Sequence, residues 1–391
     1  MTVRLIGIAD LHINQHSRFE EGAEIRRWMV NNLPAYEPDA YLIGGDLLHG
    51  RSTIAEREAA MRFLRALDHD AEVVGVYGNH EATNDLGIYN ALPRTRFYQD
   101  PTVHVLPGVV LACLPWLRYV PTQADLHLPP STVAANAARS IAERVEALRV
   151  ELAETMVDAP DMPRVVLGHA MIRGAKTALG QPIPIGSEFA LGLDDLASFG
   201  ADAYLFGHVH AGQEWTVNAG APVVYPGSPH RTTYGEIEEK RVAVITIEGR
   251  DARVEYIATP ARPMFLVEIP WTPEAWANDP AVTQLLADVE DATIPPDIRL
   301  RYTVPSSRRE QGTIDAERLS AKLKKAGAFR VKPEPLVLHE AVTRADTVEV
   351  VQAASLDAQL GILLARQGKD EATVARLLTR FAKLQTTRDS R

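Results

Sequence analysis

The chain has 391 residues, 46% of them hydrophobic, and a formal net charge of −10. This length exceeds what one hydrophobic core usually serves, so two domains or more are expected, with the apolar content of a folded protein. No stretch approaches the roughly 18 uncharged apolar residues that a membrane helix needs, and the start MTVRLIGIAD lacks the apolar region of a secretory signal, so a cytoplasmic protein with no membrane partner is expected.

In chain order, VRLIGIAD, AYLIGGD, EVVGVYGNH, RVVLGHA and AYLFGHVH are runs rich in Val, Ile and Leu and punctuated by glycine. They lack clean alternation, as strands buried on both faces do. Between the first three, FEEGAEIRRWMVNNL and IAEREAAMRFLRAL carry helical spacing, which gives a β-α-β-α-β order. VVLACLPW reads as a further strand, and its Cys113, the single cysteine, excludes an internal disulfide and reads as a small core residue. Residues 131–157 read as one long helix with Ser131 as its cap. APVVYPGSPH, RVAVITIEG and ARVEYIA look like strands joined by turns, so that an α/β sandwich ends near residue 260.

Prolines around TPARPMF mark a linker into a second unit. There MFLVEI, a helix near 280–290, IRLRYTV, a helix near 314–326 and PEPLVLHE fit a small two-layer α+β unit. SLDAQLGILLARQ and EATVARLLTRFAKL, broken by GKD, place Leu360, Leu363, Leu364, Val374, Leu377, Leu378 and Phe381 at helical spacing, a hairpin of two amphipathic helices. Residues 301–391 hold 17 Lys and Arg against 11 Asp and Glu, a surplus of +6 that leaves −16 elsewhere. Such asymmetry marks either an interaction segment or a solvated helical face.

Five strand ends carry residues able to bind metal ions: Asp10 and His12 in DLH, Asp46 and His49 in GDLLH, Asn79 and His80 in GNHE, His169 in GHA, and His208 and His210 in GHVH. In a mainly parallel sheet, groups just beyond the strand ends converge on one crevice. One such motif is ordinary turn chemistry; five in order, each ending a strand, point to a metal centre. Carboxylate, imidazole and one carboxamide without thiolate suit Mn²⁺, Fe²⁺ or Zn²⁺ rather than a structural zinc cage. Two such ions about 3.5 Å apart activate a bridging water and neutralise a phosphoryl group, which is the chemistry of phosphoester hydrolysis.

The five motifs resemble those of the calcineurin-like metallophosphoesterase superfamily over about residues 1–260. The resemblance implies an α/β fold, a β-sandwich flanked by helices. By it, one metal is held by Asp10, His12, Asp46 and His210 and the other by Asp46, Asn79, His169 and His208, with Asp46 bridging. His80 then contacts the scissile phosphate, stabilising charge or protonating the leaving oxygen. Where the phosphoprotein phosphatases continue into Asp-Arg-Gly, this chain has His49, Gly50 and Arg51.

Residues 223–249, VVYPGSPHRTTYGEIEEKRVAVITIEG, and GAKTALG after His169 are similar to the SbcD-type double-strand-break repair nucleases. That resemblance implies a nuclease domain over 1–260, an α+β DNA-capping domain over 261–345 and a helical hairpin over 346–391, with residues 353–391 docking on an SbcC-type coiled-coil ATPase. It further implies two divalent ions, Mn²⁺ above all, 3′ to 5′ exonuclease action on duplex DNA ends, endonuclease action on single strands and hairpins, and a homodimer formed through the early helices. His49, at a position where bacterial members commonly have Asp, is expected beside the site but not among the metal ligands, directed at the DNA phosphate or at a metal-bound water. Backbone contacts are expected from Arg51, Arg94, Arg96, Arg173 and Lys176, with Lys322, Lys324 and Lys325 of the capping unit. A phosphomonoesterase or cyclic-nucleotide phosphodiesterase of the same fold, and a non-catalytic adaptor presenting the hairpin, are the competing readings.

Overall fold

A computed structural model describes residues 2–81, 84–123, 125–176, 190–271, 276, 279–338, 356–366 and 370–388. The elements of the first unit are β1 (Thr2–Ile8), α1 (Phe19–Asn32), β2 (Ala40–Ile43), α2 (Ile54–Asp70), β3 (Glu72–Val76), β4 (Thr95–Tyr98), β5 (Thr102–Leu106), β6 (Val109–Leu114) and α3 (Pro130–Asp158). They continue with β7 (Arg164–His169), the short pair β8 (Met171–Ile172) and β9 (Ala190–Leu191), α4 (Leu193–Ala197), β10 (Ala203–Gly207), β11 (Gln213–Val217), β12 (Ala221–Tyr225), β13 (Arg241–Glu248) and β14 (Asp251–Ala258).

Two six-stranded sheets form, ordered β14-β13-β1-β2-β3-β4 and β11-β12-β10-β7-β6-β5. In each, four neighbouring strands are parallel, β1-β2-β3-β4 in one and β12-β10-β7-β6 in the other, and the hairpin strands β13, β14, β11 and β5 are antiparallel. The sheets pack face to face through Leu5, Leu42 and Val74 on one and Leu111, Cys113, Leu167 and Leu205 on the other. Helices α1 and α2 cover one outer face with Ile25, Met29, Phe63 and Leu67, and α3 and α4 cover the other with Leu148, Leu152 and Leu196. The strands are therefore buried on both faces, which is why their sequences run apolar without alternating. Each leucine so buried contributes roughly 1.5–3 kcal/mol.

The expected helix at 131–157 forms, but Ser131 does not cap it. Helix α3 opens on Pro130, and no side chain accepts from its first turn. Proline at the first position needs no partner for the N–H it lacks, and its fixed φ already suits a helix. Helix α2, by contrast, opens on a capping box: Thr53 Oγ1 accepts from Glu56 N at 3.3 Å and Glu56 Oε2 from Thr53 N at 2.7 Å.

The second unit runs β15 (Met264–Pro270), α5 (Pro280–Asp291), β16 (Asp297–Pro305), α6 (Arg309–Ala326) and β17 (Arg330–Leu338). Its three strands are all parallel, each joined to the next by a helix, in two layers. Here alternation is clean: Ile298, Leu300, Tyr302 and Val304 of β16 pack against Val282, Leu285, Leu319 and Leu323 of the helices. Arg299 and Arg301 point to the other face, where they pair with Glu334 and Glu268. Helix α6 starts at Arg309, ahead of the expected 314. The two units meet at an ion pair between Arg18 Nη2 and Asp297 Oδ2, 2.6 Å apart with both side chains under 5% exposed, and at Arg299 Nη1, which donates to Tyr234 O at 2.9 Å.

Helices Leu356–Arg366 and Glu371–Arg388 pack on each other, Leu378 lying against Gly361. Of the expected stripe, Leu360, Leu364, Val374, Leu377 and Leu378 are half-buried and Leu363 is exposed. The side chain of Phe381, the break at Gly368 and Lys369, part of GAKTALG (177–180) and residues 339–355 lie outside the described residues. Among those described, no helix is long and apolar enough to cross a membrane.

Candidate metal centre

The strand-end motifs come from both sheets. Asp10 and His12 follow β1, Asp46 and His49 follow β2, and Asn79 and His80 follow β3, whereas His169 ends β7 and His208 and His210 follow β10. On leaving the strands the chain turns sharply. Asp10, His12, Asp46 and His208 have φ of 53°, 40°, 51° and 111°, conformations that cost on the order of 1–3 kcal/mol each in a non-glycine residue and cluster at functional sites. Backbone bonds hold the turns together, with Asp10 N donating to Gly45 O at 3.1 Å and His12 N to Asp46 O at 2.8 Å. The sheets meet backbone to backbone at Gly44 and Gly207, where a Cβ on Gly207 would stand 2.1 Å from Gly44 O.

Seven of the expected residues come together around Asp46. Its Oδ2 lies 3.5 Å from His12 Nε2 and 3.5 Å from His169 Nε2. On the first side, His12 Nε2 is 2.9 Å from His210 Nε2, and Asp10 belongs to the same group. On the second, Asn79 Oδ1 is 2.9 Å from His169 Nε2 and 3.0 Å from His208 Nδ1. The backbone completes the frame: His208 N donates to Asp10 Oδ1 at 2.9 Å and His80 N to Asp46 Oδ1 at 3.0 Å.

The outer partners of the imidazoles decide which nitrogen faces inward. His169 Nδ1 lies 2.7 Å from Gly44 O; a carbonyl only accepts, so Nδ1 carries the proton and Nε2 turns its lone pair to Asp46 and Asn79. Thr232 Oγ1 lies 2.6 Å from Glu236 Oε1 and 2.9 Å from His210 Nδ1. Its single proton goes to the carboxylate, so the hydroxyl accepts from His210 Nδ1–H and His210 Nε2 faces His12 as an acceptor. Glu236 is itself fixed by Lys240 Nζ at 2.5 Å and Ser228 Oγ at 3.2 Å.

Burial pulls His208 down to about 4 and His12 well below its ordinary value, so both rings are neutral near pH 7. Burial also pushes the Asp10 carboxyl up to about 6. His210 is lowered by burial but raised more by its bond to Glu236 and by Asp10, and the net shift is upward. Buried acceptors thus converge on one another from two sides of a shared carboxylate, the disposition that divalent cations satisfy. The donor set fits two such ions.

His49 and His80 form the mouth. Their rings stack with centroids 4.6 Å apart at 25°, His49 is exposed, and His80 Nε2 is 4.0 Å from Asp46 Oδ2. The structure adds a contact for His49 that spacing did not suggest: its Nδ1 lies 3.0 Å from His12 Nδ1. With His12 Nε2 turned inward, His12 Nδ1–H donates to His49, which orients His12 as Gly44 O orients His169.

The expected basic residues are more scattered. Arg51 is exposed beside the mouth, Arg173 lies 3.8 Å from Asp195, and Lys176 N donates to Gln213 Oε1 at 2.8 Å. Lys322, Lys324 and Lys325 lie on α6, where all three are exposed. Arg94 is not brought to the crevice. It precedes β4, and in a parallel sheet that is the end opposite the motifs; its Nε donates to Asp68 O in the last turn of α2 at 2.7 Å. Arg96 turns back to Leu92 O and Thr95 O.

Several residues at the site were given no role by sequence reasoning, Glu81 of GNHE among them. Glu81 is buried under Asp46 and accepts from the backbone N–H of Gly78, Asp46 and Leu48. Burial, then the charge of Asp46, push it up to about 8 against those donors. Trp116 lies against His208 with ring centroids 4.9 Å apart, and Arg118 donates to Asn79 O. Thr232, Glu236 and Lys240 sit in TTYGEIEEK, part of the stretch that carries the resemblance to the SbcD-type nucleases; the resemblance gave them no role, and no periodicity signals a buried carboxylate there.

Comparison with known proteins places this geometry. The profile of the calcineurin-like phosphoesterase family matches residues 3–212, more than half of the chain. The DNA double-strand break repair protein Mre11 of Methanopyrus kandleri is 26% identical over 260 residues, which cover 62% of this chain and 52% of that protein. The chain therefore spans about half the length of this curated relative. Among solved structures, TT1561 of Thermus thermophilus aligns with a TM-score of 0.39 and 14% identity over 66% of this chain and 99% of its own. A dimetal phosphatase from Danio rerio gives 0.38 and 13% over 64% and 98%.

Proposed function

The chain belongs to the calcineurin-like phosphoesterase family, and from that premise we propose that it is the Mn²⁺-dependent DNA nuclease subunit of an SbcCD-like repair complex. As a member it is a metal-dependent phosphoester hydrolase with a dinuclear centre. Asp10, His12, Asp46 and His210 would hold one ion, and Asp46, Asn79, His169 and His208 the other; the 3.5 Å from Asp46 Oδ2 to both His12 and His169 supports its shared role. When bound, the ions supply Lewis acidity at the phosphoryl oxygens and a lowered pKa for the attacking water. His80 is the proton donor to the leaving oxygen, and His49 holds it by stacking.

The observation that carries the reading is this imidazole pair at an open mouth. A phosphodiester brings one negative charge and expels an alkoxide, so its cleavage needs a proton at the leaving oxygen more than a guanidinium clamp for a dianion. The likeness to a protein named for double-strand break repair supports DNA as the polymer. On this reading residues 1–260 form the nuclease domain, 261–345 cap the DNA, and 353–391 engage a coiled-coil ATPase, with α1 and α2 forming a homodimer.

The test is degradation of linear duplex DNA with Mn²⁺, repeated with His80→Asn. Removing a general acid is expected to cost about 10²–10⁴ in rate. Equal activity in the variant removes His80 from the mechanism, and vigorous hydrolysis of a phosphomonoester without any cutting of DNA overturns the nuclease reading.

A further inference from the structure

Beyond the metal cluster, the segment LPWLR leaves β6 alongside the loop that carries Asn79 and His80. Trp116 N donates to Tyr77 O at 2.8 Å, and the indole lies against His208. Next to it opens a cleft of about 230 Å³ lined by Tyr77, Gly78, Gln99, Trp116, Arg118 and Arg144. The two carboxylates at this cleft are both engaged: Glu81 by backbone N–H groups and Asp100 by Arg144 at 2.9 Å. Arg118 is exposed, and its Nη2 donates to Asn79 O and to Glu81 O. Among the described residues it has no carboxylate partner. One nitrogen of the guanidinium is thus pinned to the backbone of the catalytic loop, and the rest of the fork is left for another acceptor.

We propose that this cleft is a subsite for the DNA phosphate adjoining the scissile one, with Arg118 as its ligand and Trp116 as the apolar wall for the attached sugar. The inference rests on the DNA reading above. With Nη2 committed to the two carbonyls, Nε–H and the two Nη1–H groups remain, each able to give a charge-assisted hydrogen bond to a phosphate oxygen. Backbone contacts of this kind set the register of the strand over the reactive centre and carry no sequence information. Small phosphoesters have no neighbouring phosphate to place there, so the subsite makes the enzyme selective for polymer.

The experiment pairs Arg118→Ala with oligonucleotides bearing one uncharged methylphosphonate, moved through the positions on either side of the cut. At one position the methylphosphonate is expected to lower kcat/KM of the unaltered enzyme about tenfold. Arg118→Ala lowers it similarly on the all-phosphate strand, and the two changes together cost no more than either alone. Arg118→Lys, which keeps the charge but has a single nitrogen to serve both the loop carbonyls and the phosphate, recovers part of the loss. The variant also flattens the dependence of log binding on log salt by about 0.7, one phosphate contact on a single strand. If the two losses multiply at every position, Arg118 acts only by bracing its loop and the subsite is overturned. If the unaltered enzyme cuts no DNA at all, the reading on which the inference rests has itself failed.

Discussion

At the scale of single residues, three of the four imidazoles of the candidate centre are held from behind. Gly44 O fixes His169, Thr232 with Glu236 fixes His210, and His49 fixes His12. Groups that orient metal-binding histidines are typically worth about 10–100-fold in affinity or activity. His49→Ser is therefore expected to slow Mn²⁺-dependent cleavage about 10–100-fold while weakening metal binding less, as read by kinetics beside calorimetric titration with Mn²⁺. His12, His49 and His80 also bring nitrogens within 4.8 Å of one another, so a loss of metal larger than the loss of rate would place His49 among the ligands. The His49 position was readable as unusual in the sequence, but its contact with His12 was not, because it joins two loops 37 residues apart.

At the scale of elements, the starts of α2 and α3 differ in what stabilises them. Thr53 closes a capping box on α2, whereas α3 opens on Pro130 with Ser131 idle in the first turn. Thr53→Ala is expected to cost about 1 kcal/mol of stability, and Ser131→Ala to stay within about 0.5 kcal/mol, both measured by urea unfolding. Equal losses would restore Ser131 as a cap. Strand placement followed from the sequence because strands buried between a helix layer and a second sheet must be apolar throughout. The edge strands β4, β5 and β11 did not announce themselves: they are short, and their burial alternates or is partial.

At the scale of the whole molecule, two of the contacts that join the second unit to the first bear most directly on stability and on the site. One is the buried pair Arg18–Asp297; the other, Arg299 to Tyr234 O, holds the segment whose Thr232 and Glu236 fix His210. Asp297→Ala leaves Arg18 buried, and the expected loss is at the low end of the roughly 3–5 kcal/mol that breaking a buried pair costs, because Glu21 stays 2.9 Å from Arg18; the urea midpoint checks it. On the nuclease reading, deleting residues 353–391 is expected to abolish co-purification of a coiled-coil ATPase and leave the phosphoesterase domain folded. Loss of folding would show that the helical pair packs for stability instead. The sequence by itself determined the strands, their order of motifs and the chemical types at their ends, since each depends on local periodicity and on residues a few positions apart. Only the tertiary structure decided that the motifs of two sheets meet at Gly44 and Gly207, that Arg94 lies at the far end of its strand, and that Glu81, Thr232, Glu236 and Arg118 stand behind or beside the ligands. Those facts depend on strand order and sheet packing, which bring together residues as far apart in sequence as His12 and His210.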